Sequence, residues 1–282
     1  MKVCRISGPF GEEGAGAGSV FSAPETKAAI RESSLDDIRS RLNNPVVTVG
    51  SFDGVHRGHR KILERLKEVA AELGGESVAV TFDPHPRRLV DPEPGSLRLL
   101  NSLQEKILLL DGVGIDNLVI IPFTPGFSQI PSDIFLKDYL LLGLGAKALV
   151  MGYNHHFGHN REGRFDSATG AGIMVCEVPQ FNVENDKVSS TAIRQLIREG
   201  KMSLAAYCLD APYPLMGLLG PDGRFLPEEP LKQLPPPGNY PVKVHGAACD
   251  CSGNLHINAG QRVFLSSSEC PLAVGFQSVS FR

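Results

Sequence analysis

The sequence lacks the features that place a protein in a membrane or outside the cell. No uninterrupted apolar run is long enough to cross a bilayer, because the Leu-rich stretch at residues 139–151 is short and contains Lys147. The N-terminal residues are small and polar and do not form the apolar core of a secretory signal. We therefore expect a cytoplasmic protein without a membrane partner.

The cysteines also lack a diagnostic spacing. The chain has six of them, and no two have the C-x-x-C spacing of many zinc and redox sites. In a cytoplasmic protein they are most simply reduced thiols. His245, Cys249, Cys251 and His256 are a short group of ligand-type side chains. Because C-x-C is narrower than the pair spacing of zinc sites, we favour an ordinary β-rich region over the alternative, a metal site.

Charge of one sign does not dominate the chain. The net charge is −3, with no large basic excess and no acidic tail, so we expect no nucleic-acid partner. Hydrophobic residues make up 42% of the chain and charged residues 21%, which is typical of a globular protein with a substantial core. A length of 282 residues fits one large domain or two modest ones.

The apolar pattern alternates between strand-like and helical runs. Runs rich in β-branched and apolar residues predict strands at residues 46–49, 77–82, 117–121 and 148–151. Helical spacing or capping signals predict helices at residues 59–73, 102–110, 131–142 and 190–198, the second with a capping box at Ser102 and Glu105. This alternation predicts an α/β fold, a doubly wound parallel sheet whose ligands bind at the carboxyl ends of the strands.

The composition suggests three segments. Residues 1–23 are rich in glycine and show little periodicity, so we expect an irregular segment there. The α/β domain should span residues 24–211. Residues 212–282 begin with a proline-rich connection and continue with short β-like runs, which predict a small β domain, either a barrel or a docked sheet.

Residues 50–59 read GSFDGVHRGH and carry the strongest functional signal. They follow a predicted strand and precede a predicted helix, so the turn directs backbone N–H groups and a positive helix end towards a ligand, an arrangement that suits phosphate. His56 and His59 share one helical face and could contact the same phosphate without a metal. An isolated H-x-x-H is usually two surface histidines, but the whole motif at this junction favours a nucleotide triphosphate site.

The same motif carries a family resemblance. H-x-G-H after F-D-G resembles the nucleotidyltransferases related to class I aminoacyl-tRNA synthetases, which have a Rossmann-like fold. The full motif resembles the FMN adenylyltransferase module of bacterial bifunctional riboflavin kinase/FAD synthetases. Three more segments fit in order and spacing, and the resemblance covers roughly residues 46–213. These segments are TFDPHPRRLV at 81–90, MGYNHHFGHNREG at 151–163 and VSSTAIRQLIREG at 188–200.

The resemblance implies transfer of AMP from ATP to FMN, which yields FAD and pyrophosphate. An FMN phosphate oxygen would attack the α-phosphorus in line, so catalysis needs positioning and charge neutralisation rather than a protein nucleophile. The expected catalytic residues are His56, His59 and Arg194. For Asp53 we favour a structural role, in capping a helix or orienting a histidine. The residues expected at the nucleotide are Gly50, Ser51, Phe52, Asp53, Gly58, Ser190 and Thr191.

The flavin side is also implied by the resemblance. The loop after the second strand would line the flavin site, with Arg87 near the FMN phosphate. His155, His156 and His159 depart from the family pattern; a hydrated loop is favoured there over a transition-metal site. Mg²⁺ is expected with ATP, held by phosphate oxygens and water, so no protein metal ligands are predicted. The residues expected at the flavin are Asp83, Pro84, His85, Pro86, Arg87 and Asn154.

The resemblance is incomplete at the C-terminal end. Relatives with two activities carry a G-F-P-T-A-N segment shortly after the P-Y-x-L junction, and residues 212–215 are followed by no such segment here. We expect a remnant riboflavin-kinase-like barrel without kinase activity. Three alternatives remain: a nucleotidyltransferase for another acceptor, such as a phosphopantetheine or a mononucleotide; a non-catalytic flavin or nucleotide regulator; and, ranked low, a kinase that uses unfamiliar residues.

Overall fold

A parallel sheet and an antiparallel barrel make up the fold. The computed structural model describes residues 1–7, 30–91, 97–153, 173–179, 182–183, 186–245, 250–269, 272 and 275–281. The sheet has seven parallel strands in the order β2-β1-β5-β4-β3-β6-β7. They are β1 (Lys2–Ile6), β2 (Ile30–Ser33), β3 (Val46–Val49), β4 (Ser77–Asp83), β5 (Asn117–Pro122), β6 (Ala148–Gly152) and β7 (Met174–Val178).

Helices lie between these strands and between the sheet and the C-terminal strands. They are α1 (Leu35–Arg39), α2 (Arg57–Glu72), α3 (Arg87–Val90), α4 (Leu103–Val113), α5 (Pro125–Ser128), α6 (Ser132–Ile134), α7 (Ser190–Arg198) and α8 (Met202–Leu209). A π-helix over Phe135–Gly143 follows α6, and the short strands β8 (Asn182–Val183) and β9 (Asp186–Lys187) pair with each other.

Apolar side chains cover both faces of the sheet, as expected for parallel strands. Along β3, Val46 packs in one core cluster with α2 and α4, and Val47 packs in the opposite cluster with the π-helix. The chain winds from β3 to β4 and β5 in one direction, whereas β6 lies on the other side of β3. The topological switch point, where ligands bind in such sheets, therefore lies at the carboxyl end of β3. The predicted doubly wound α/β fold is confirmed.

Six strands form a closed antiparallel barrel in the C-terminal region, in the order β10-β11-β14-β13-β12-β15. Of the two structures considered for this region, the barrel is correct. Its interior is filled by alternate residues, such as Val242 and Val244 on one strand and Leu255 and Ile257 on the next. The strands are β10 (Pro214–Leu219), β11 (Arg224–Pro227), β12 (Gly238–His245), β13 (Asp250–Ile257), β14 (Val263–Ser266) and β15 (Gly275–Phe281).

The connection between β11 and β12, residues 228–237, packs against the sheet domain. Leu99 N donates to Leu231 O at 2.8 Å, and Gln233 N donates to Leu99 O at 2.8 Å. The Lys232 ammonium and the Glu105 carboxylate form an ion pair in which each side chain is 1% exposed. Glu105 also accepts from the backbone N of Met216 at 2.8 Å. The barrel is therefore tied to the sheet domain by backbone and buried charged contacts.

Three predictions about local structure are wrong. The irregular segment expected at residues 1–23 contains β1, which pairs with β2 and β5; the glycine-rich sequence that follows it hides this short strand. The helix expected at residues 131–142 is a short α-helix followed by a π-helix. Cys251 is disulfide-bonded, although Cys4, Cys176 and Cys208 are free thiols as expected. No helix in the described ranges is long and apolar enough to cross a bilayer.

Candidate active site

The turn between β3 and α2 is tight and packs closely on its surroundings. Phe52 and Val55 have φ angles of 47° and 40°, and Gly54 has a φ of 90°. A β-branched residue such as Val55 rarely adopts positive φ, so the turn holds backbone strain at this point. A Cβ on Gly54 would lie 2.7 Å from a methyl group of Leu100. Leu100, in the loop before α4, thus packs closely against the turn at Gly54.

The two histidines of the motif stack at the start of α2. His56 is the N-cap residue, and its Nδ1 accepts from the backbone N of His59 at 3.3 Å. The two rings lie 3.7 Å apart and 13° from parallel. The edge of the buried Phe52 ring contacts His59 at 5.4 Å between centroids. Gly58 permits this arrangement, because a Cβ there would lie 3.2 Å from the His56 ring.

Burial sets the protonation of His56. It lowers the pKa of His56 to about 4, so the imidazole is neutral near pH 7. Because Nδ1 accepts a hydrogen bond, the proton of the neutral ring is assigned to Nε2. Nε2 is then the atom of His56 that could donate to a phosphate oxygen. The helix start expected at residue 59 lies two residues earlier, at Arg57, because the histidine side chain itself is the cap.

Asp53 connects the turn to two other parts of the fold. Its Oδ1 accepts from the backbone N of Leu100 at 2.8 Å and of Asn101 at 3.3 Å. Its Oδ2 accepts from Arg194 Nη1 at 2.6 Å, and its backbone carbonyl accepts from Ser190 Oγ at 2.8 Å. Burial raises the pKa of Asp53, against the opposing attraction of Arg194. Its side chain is 3% exposed, so these contacts fit the structural role favoured from the sequence better than a contact with nucleotide.

The serine and threonine residues of α7 have separate positions. Ser189 is the N-cap, and its side chain accepts from Ala192 N, whereas the Ser190 hydroxyl donates to Asp53. The residue that caps α7 is therefore Ser189, rather than Ser190 or Thr191. Thr191 is exposed and lies 3.5 Å from Arg194 Nη2, so its hydroxyl and this guanidinium share one surface.

Gly50 and Ser51 lie at the end of β3. Gly50 N donates to Val80 O at 2.9 Å, and a Cβ on Gly50 would lie 3.0 Å from the Phe52 ring. The Ser51 carbonyl accepts from Thr81 Oγ1 at 3.4 Å. With Phe52 itself buried, these residues could offer mainly backbone groups to a ligand.

The loop after β4 carries the residues expected at the flavin. Asp83 accepts from Arg5 at 2.9 Å, and the bond between Asp83 and Pro84 is cis. His85 Nδ1 accepts from Arg87 N at 3.2 Å. Burial, together with the positive charges of Lys106 and the nearby arginines, lowers the pKa of His85 to about 3. Pro86 precedes α3, and Arg87 pairs with Asp91 at 2.8 Å with its side chain half exposed.

One cavity of about 610 Å³ is lined by residues from both the expected flavin loop and α7. Arg87 from the flavin loop lines it together with Thr191 and Arg194 from α7. Arg194 also contributes to lowering the pKa of His56, which places its charge near the histidine pair. Asn154 and the histidines at 155, 156 and 159 lie outside the described residues.

Sequence reasoning missed Lys106. Its ammonium is buried, donates to Thr81 Oγ1 at 3.3 Å and interacts electrostatically with Asp53 and Asp83. Burial lowers the pKa of Lys106. A signal was present, because Lys106 lies on the same buried side of α4 as Ile107 and Leu110. A buried cation is costly unless it has polar or charged partners, and Lys106 finds them in Thr81, Asp53 and Asp83 at the carboxyl ends of β3 and β4.

No group of three or more His, Cys, Asp or Glu side chains among the described residues is arranged to hold a metal ion. The carboxylates nearest the site, Asp53 and Asp83, are both paired with arginines.

The chain was compared with known families and structures. The FAD synthetase family model matches residues 38–192. Bifunctional riboflavin kinase/FMN adenylyltransferase of Pseudomonas fluorescens is 36% identical over 188 residues, which are 65% of this chain and 60% of that protein. The protein of the same description from Listeria monocytogenes is 32% identical over 177 residues, 62% of this chain and 56% of that protein. The match thus spans less than two thirds of these relatives.

A solved structure also shares the fold. The crystal structure described as a macrolide-efflux protein from Streptococcus pneumoniae aligns with a TM-score of 0.75 and 24% identity, and covers 85% of this chain and 92% of that one. This likeness includes the barrel and concerns the fold alone. The family model, by contrast, spans the β3–α2 turn with its stacked histidines and extends to residue 192. The family predicted from the four motifs is confirmed: the chain belongs to the FAD synthetase family.

Proposed function

We propose that this protein is an FMN adenylyltransferase, which transfers AMP from ATP to FMN and releases pyrophosphate. The observation that carries the proposal is the stacked pair His56 and His59 at the switch point of a chain in the FAD synthetase family. The rings lie at the helix N-terminus, where N–H groups and the helix dipole favour phosphate.

The proposed reaction needs no covalent intermediate with the protein. An FMN phosphate oxygen forms a bond to the α-phosphorus of ATP, while the bond from that phosphorus to the bridging oxygen breaks and pyrophosphate leaves. His56 would donate from Nε2 to the triphosphate, with His59 beside it. Arg194 would offset negative charge near the leaving group, and Asp53 holds this guanidinium in place. A Mg²⁺ ion would supply further charge neutralisation on the triphosphate.

The remaining residues would bind and orient the substrates. Thr191 and Ser190 lie at the start of α7, where a phosphate is stabilised. Gly50, Ser51, Phe52 and Gly58 would let the backbone of the turn approach the nucleotide. The loop from Asp83 to Arg87 would line the flavin, with the Arg87 guanidinium near its phosphate and Asn154 at the same substrate.

The test is pyrophosphate release from ATP and FMN. We expect release by the wild-type protein and a loss of about 10²–10³ in rate for His59→Ala, the size associated with one lost donor to developing charge. His256→Ala is the matched control. This exposed histidine lies on the barrel, and within the described residues its side chain hydrogen-bonds only with Asn239. Wild-type protein that releases no pyrophosphate would reject the proposal, and so would an unimpaired His59→Ala variant.

Two other functions can be distinguished from the proposed one by assays with the same protein and substrates. A panel of acceptors with labelled ATP, including phosphopantetheine and mononucleotides, would identify a transferase with another substrate. Tight flavin binding without pyrophosphate release would indicate a regulator. The neutral His56 and the anchored Arg194 favour a catalyst over a regulator. Because its substrates would be ATP and FMN, we place the protein in the cytoplasm.

We also propose that the barrel has lost riboflavin kinase activity. The sequence between β10 and β12 has no G-F-P-T-A-N segment, so the threonine and asparagine that would hold ATP and Mg²⁺ are absent. With riboflavin and ATP as the only substrates, we expect neither FMN nor FAD by chromatography. Formation of either flavin would contradict the proposed loss.

A further inference from the structure

The cavity of about 610 Å³ lies between the sheet domain and the barrel. One wall comes from α3 and α7, through Arg87, Thr191, Arg194 and Arg198. The opposite wall comes from the barrel and from residues 228–237. Both domains therefore line a single space that includes residues proposed to bind the substrates.

The cavity has an excess of positive charge. Five cationic side chains line it, namely Arg87, Arg98, Arg194, Arg198 and Lys232, against the single carboxylate of Glu229. Most of these charges are compensated: Arg87 pairs with Asp91, Arg194 with Asp53, Lys232 with Glu105 and Glu229 with Arg88.

Within the described ranges, two guanidinium groups of the cavity form no ion pair with a carboxylate. Arg98 forms no hydrogen bond or ion pair with any residue in the described part of the chain. Arg198 donates to Gln195 and pairs with no carboxylate among those same residues. Arginine presents several donors in a planar fork that matches phosphate. Neither guanidinium is held in an ion pair among these residues, so both could contact an anionic ligand.

The geometry of α7 aligns these groups with the proposed site. Thr191, Arg194 and Arg198 are spaced three and four residues apart, so they occupy one face of the helix. Arg194 is fixed to Asp53 beneath the histidine turn. The cavity therefore includes Thr191 and Arg194, two of the residues proposed to hold the triphosphate.

The barrel wall is held rigidly. Leu99 exchanges backbone hydrogen bonds with Leu231 and Gln233, and the Lys232 ammonium donates to Leu100 O at 2.8 Å and pairs with Glu105. Four prolines of this wall also have restricted φ angles. They are Pro227, Pro230, Pro235 and Pro236.

We infer that this cavity binds the phosphate of a transferase substrate, that Arg98 and Arg198 contact it, and that the barrel serves as one wall of the transferase site. The identity of the ligand rests on the proposed function. Two substrates carry the required chemistry, FMN with a phosphate monoester and ATP with a polyphosphate.

Equilibrium binding measured by calorimetry tests the inference without turnover. FMN, ATP and inorganic pyrophosphate are titrated separately into the wild-type protein and into Arg98→Gln/Arg198→Gln. We expect roughly 10- to 100-fold weaker binding of at least one phosphate ligand, the effect of losing hydrogen bonds to a charged group. The ligand whose binding weakens in the double variant is the one whose phosphate the two arginines contact. Riboflavin, which has no phosphate, should bind equally to both proteins.

Arg65→Gln is the matched control, because Arg65 lies on α2 and pairs with Glu68 and Glu72 away from the cavity. Unchanged binding of all three phosphate ligands to the double variant would overturn the inference. It would also be overturned if riboflavin binding weakened as much as the binding of the phosphate ligands. Arginine-dependent binding without pyrophosphate release would reject the proposed function and support the inference. Normal release by wild-type and double-variant proteins, with unchanged binding, would reject the inference alone.

Discussion

Arg194 Nη1 lies 2.6 Å from Oδ2 of Asp53, and this ion pair is almost completely buried. The second oxygen of the same carboxylate accepts from the backbone of Leu100 and Asn101. One side chain thus orders the histidine turn, the loop before α4 and the guanidinium on α7. The position of Arg194 depends on Asp53.

Replacing Asp53 by Asn should leave the buried Arg194 charge without compensation. We expect a loss of about 3–5 kcal/mol in the free energy of unfolding, together with a large loss of pyrophosphate release. Urea denaturation and the transferase assay measure the two effects. Asp250→Asn, which removes a solvent-exposed partner of Lys243, should change neither. If Arg194 matters for the reaction, Asp53→Asn/Arg194→Met should regain stability without regaining activity.

Gly58→Ala should impair the reaction more than the fold. The added Cβ would lie 3.2 Å from the His56 ring and displace it. Since misplaced reacting groups are costly, we expect kcat to fall about 10- to 100-fold, with the free energy of unfolding changed by no more than about 1 kcal/mol.

Gly112→Ala is the matched control for that substitution. Gly112 lies within α4, and apart from its chain neighbours and the helix's own backbone no atom lies within 4 Å of a Cβ built there. This variant should gain about 0.5–1 kcal/mol of stability at unchanged kcat. Equal kcat values for the two variants would contradict the packing of His56 described above.

The buried pair of Glu105 and Lys232 should dominate the coupling between the domains. Glu105→Gln is expected to lower the free energy of unfolding by about 3–5 kcal/mol, because it leaves the Lys232 ammonium buried and unpaired. The double variant Glu105→Gln/Lys232→Met should cost less than the sum of the single variants. Lys2→Met, which breaks a surface pair with Glu76, should cost no more than about 1 kcal/mol. If the losses in free energy of unfolding for the two single variants added up to that of the double variant, the coupling between Glu105 and Lys232 would be contradicted.

Acid should destabilise the protein through His56. Its pKa of about 4 in the folded state lies below the usual 6.5, so the unfolded chain binds more protons between these values. The free energy of unfolding should fall as the pH drops through this window, by roughly 3 kcal/mol from this residue. Compared with the wild type, His56→Asn should show a shallower decrease in urea unfolding experiments from pH 7 to pH 4. Parallel curves for the two proteins would argue against the neutral, buried imidazole.

Local signals in the sequence were sufficient to predict the elements at the centre of the sheet domain. The β-branched run of β3 and the apolar spacing of α2 predicted the unit that carries His56 and His59, and Ser102 with Glu105 forms the expected capping box. These elements depend on neighbouring residues, so pattern and capping chemistry describe them well.

The missed features depend on residues far apart in the chain. Capping signals predicted Glu105 as a helix N-terminal residue, yet the same carboxylate also pairs with Lys232, which no local pattern indicates. The cavity needs Arg98 next to α7 and the barrel connection, and only the folded chain brings these together. The role of Ser190 was similarly decided by its contact with the Asp53 carbonyl, whereas Ser189 caps α7.

The place of β1 in the sheet bears on how quickly the chain can reach its folded state. Lys2 of β1 pairs with Asn117 of β5, although β2, β3 and β4 intervene along the chain. Pairings between such distant residues raise the contact order, and proteins with high contact order fold slowly. Shortening the connection between β1 and β2 should therefore leave the folding rate nearly unchanged, since the long separation to β5 would persist.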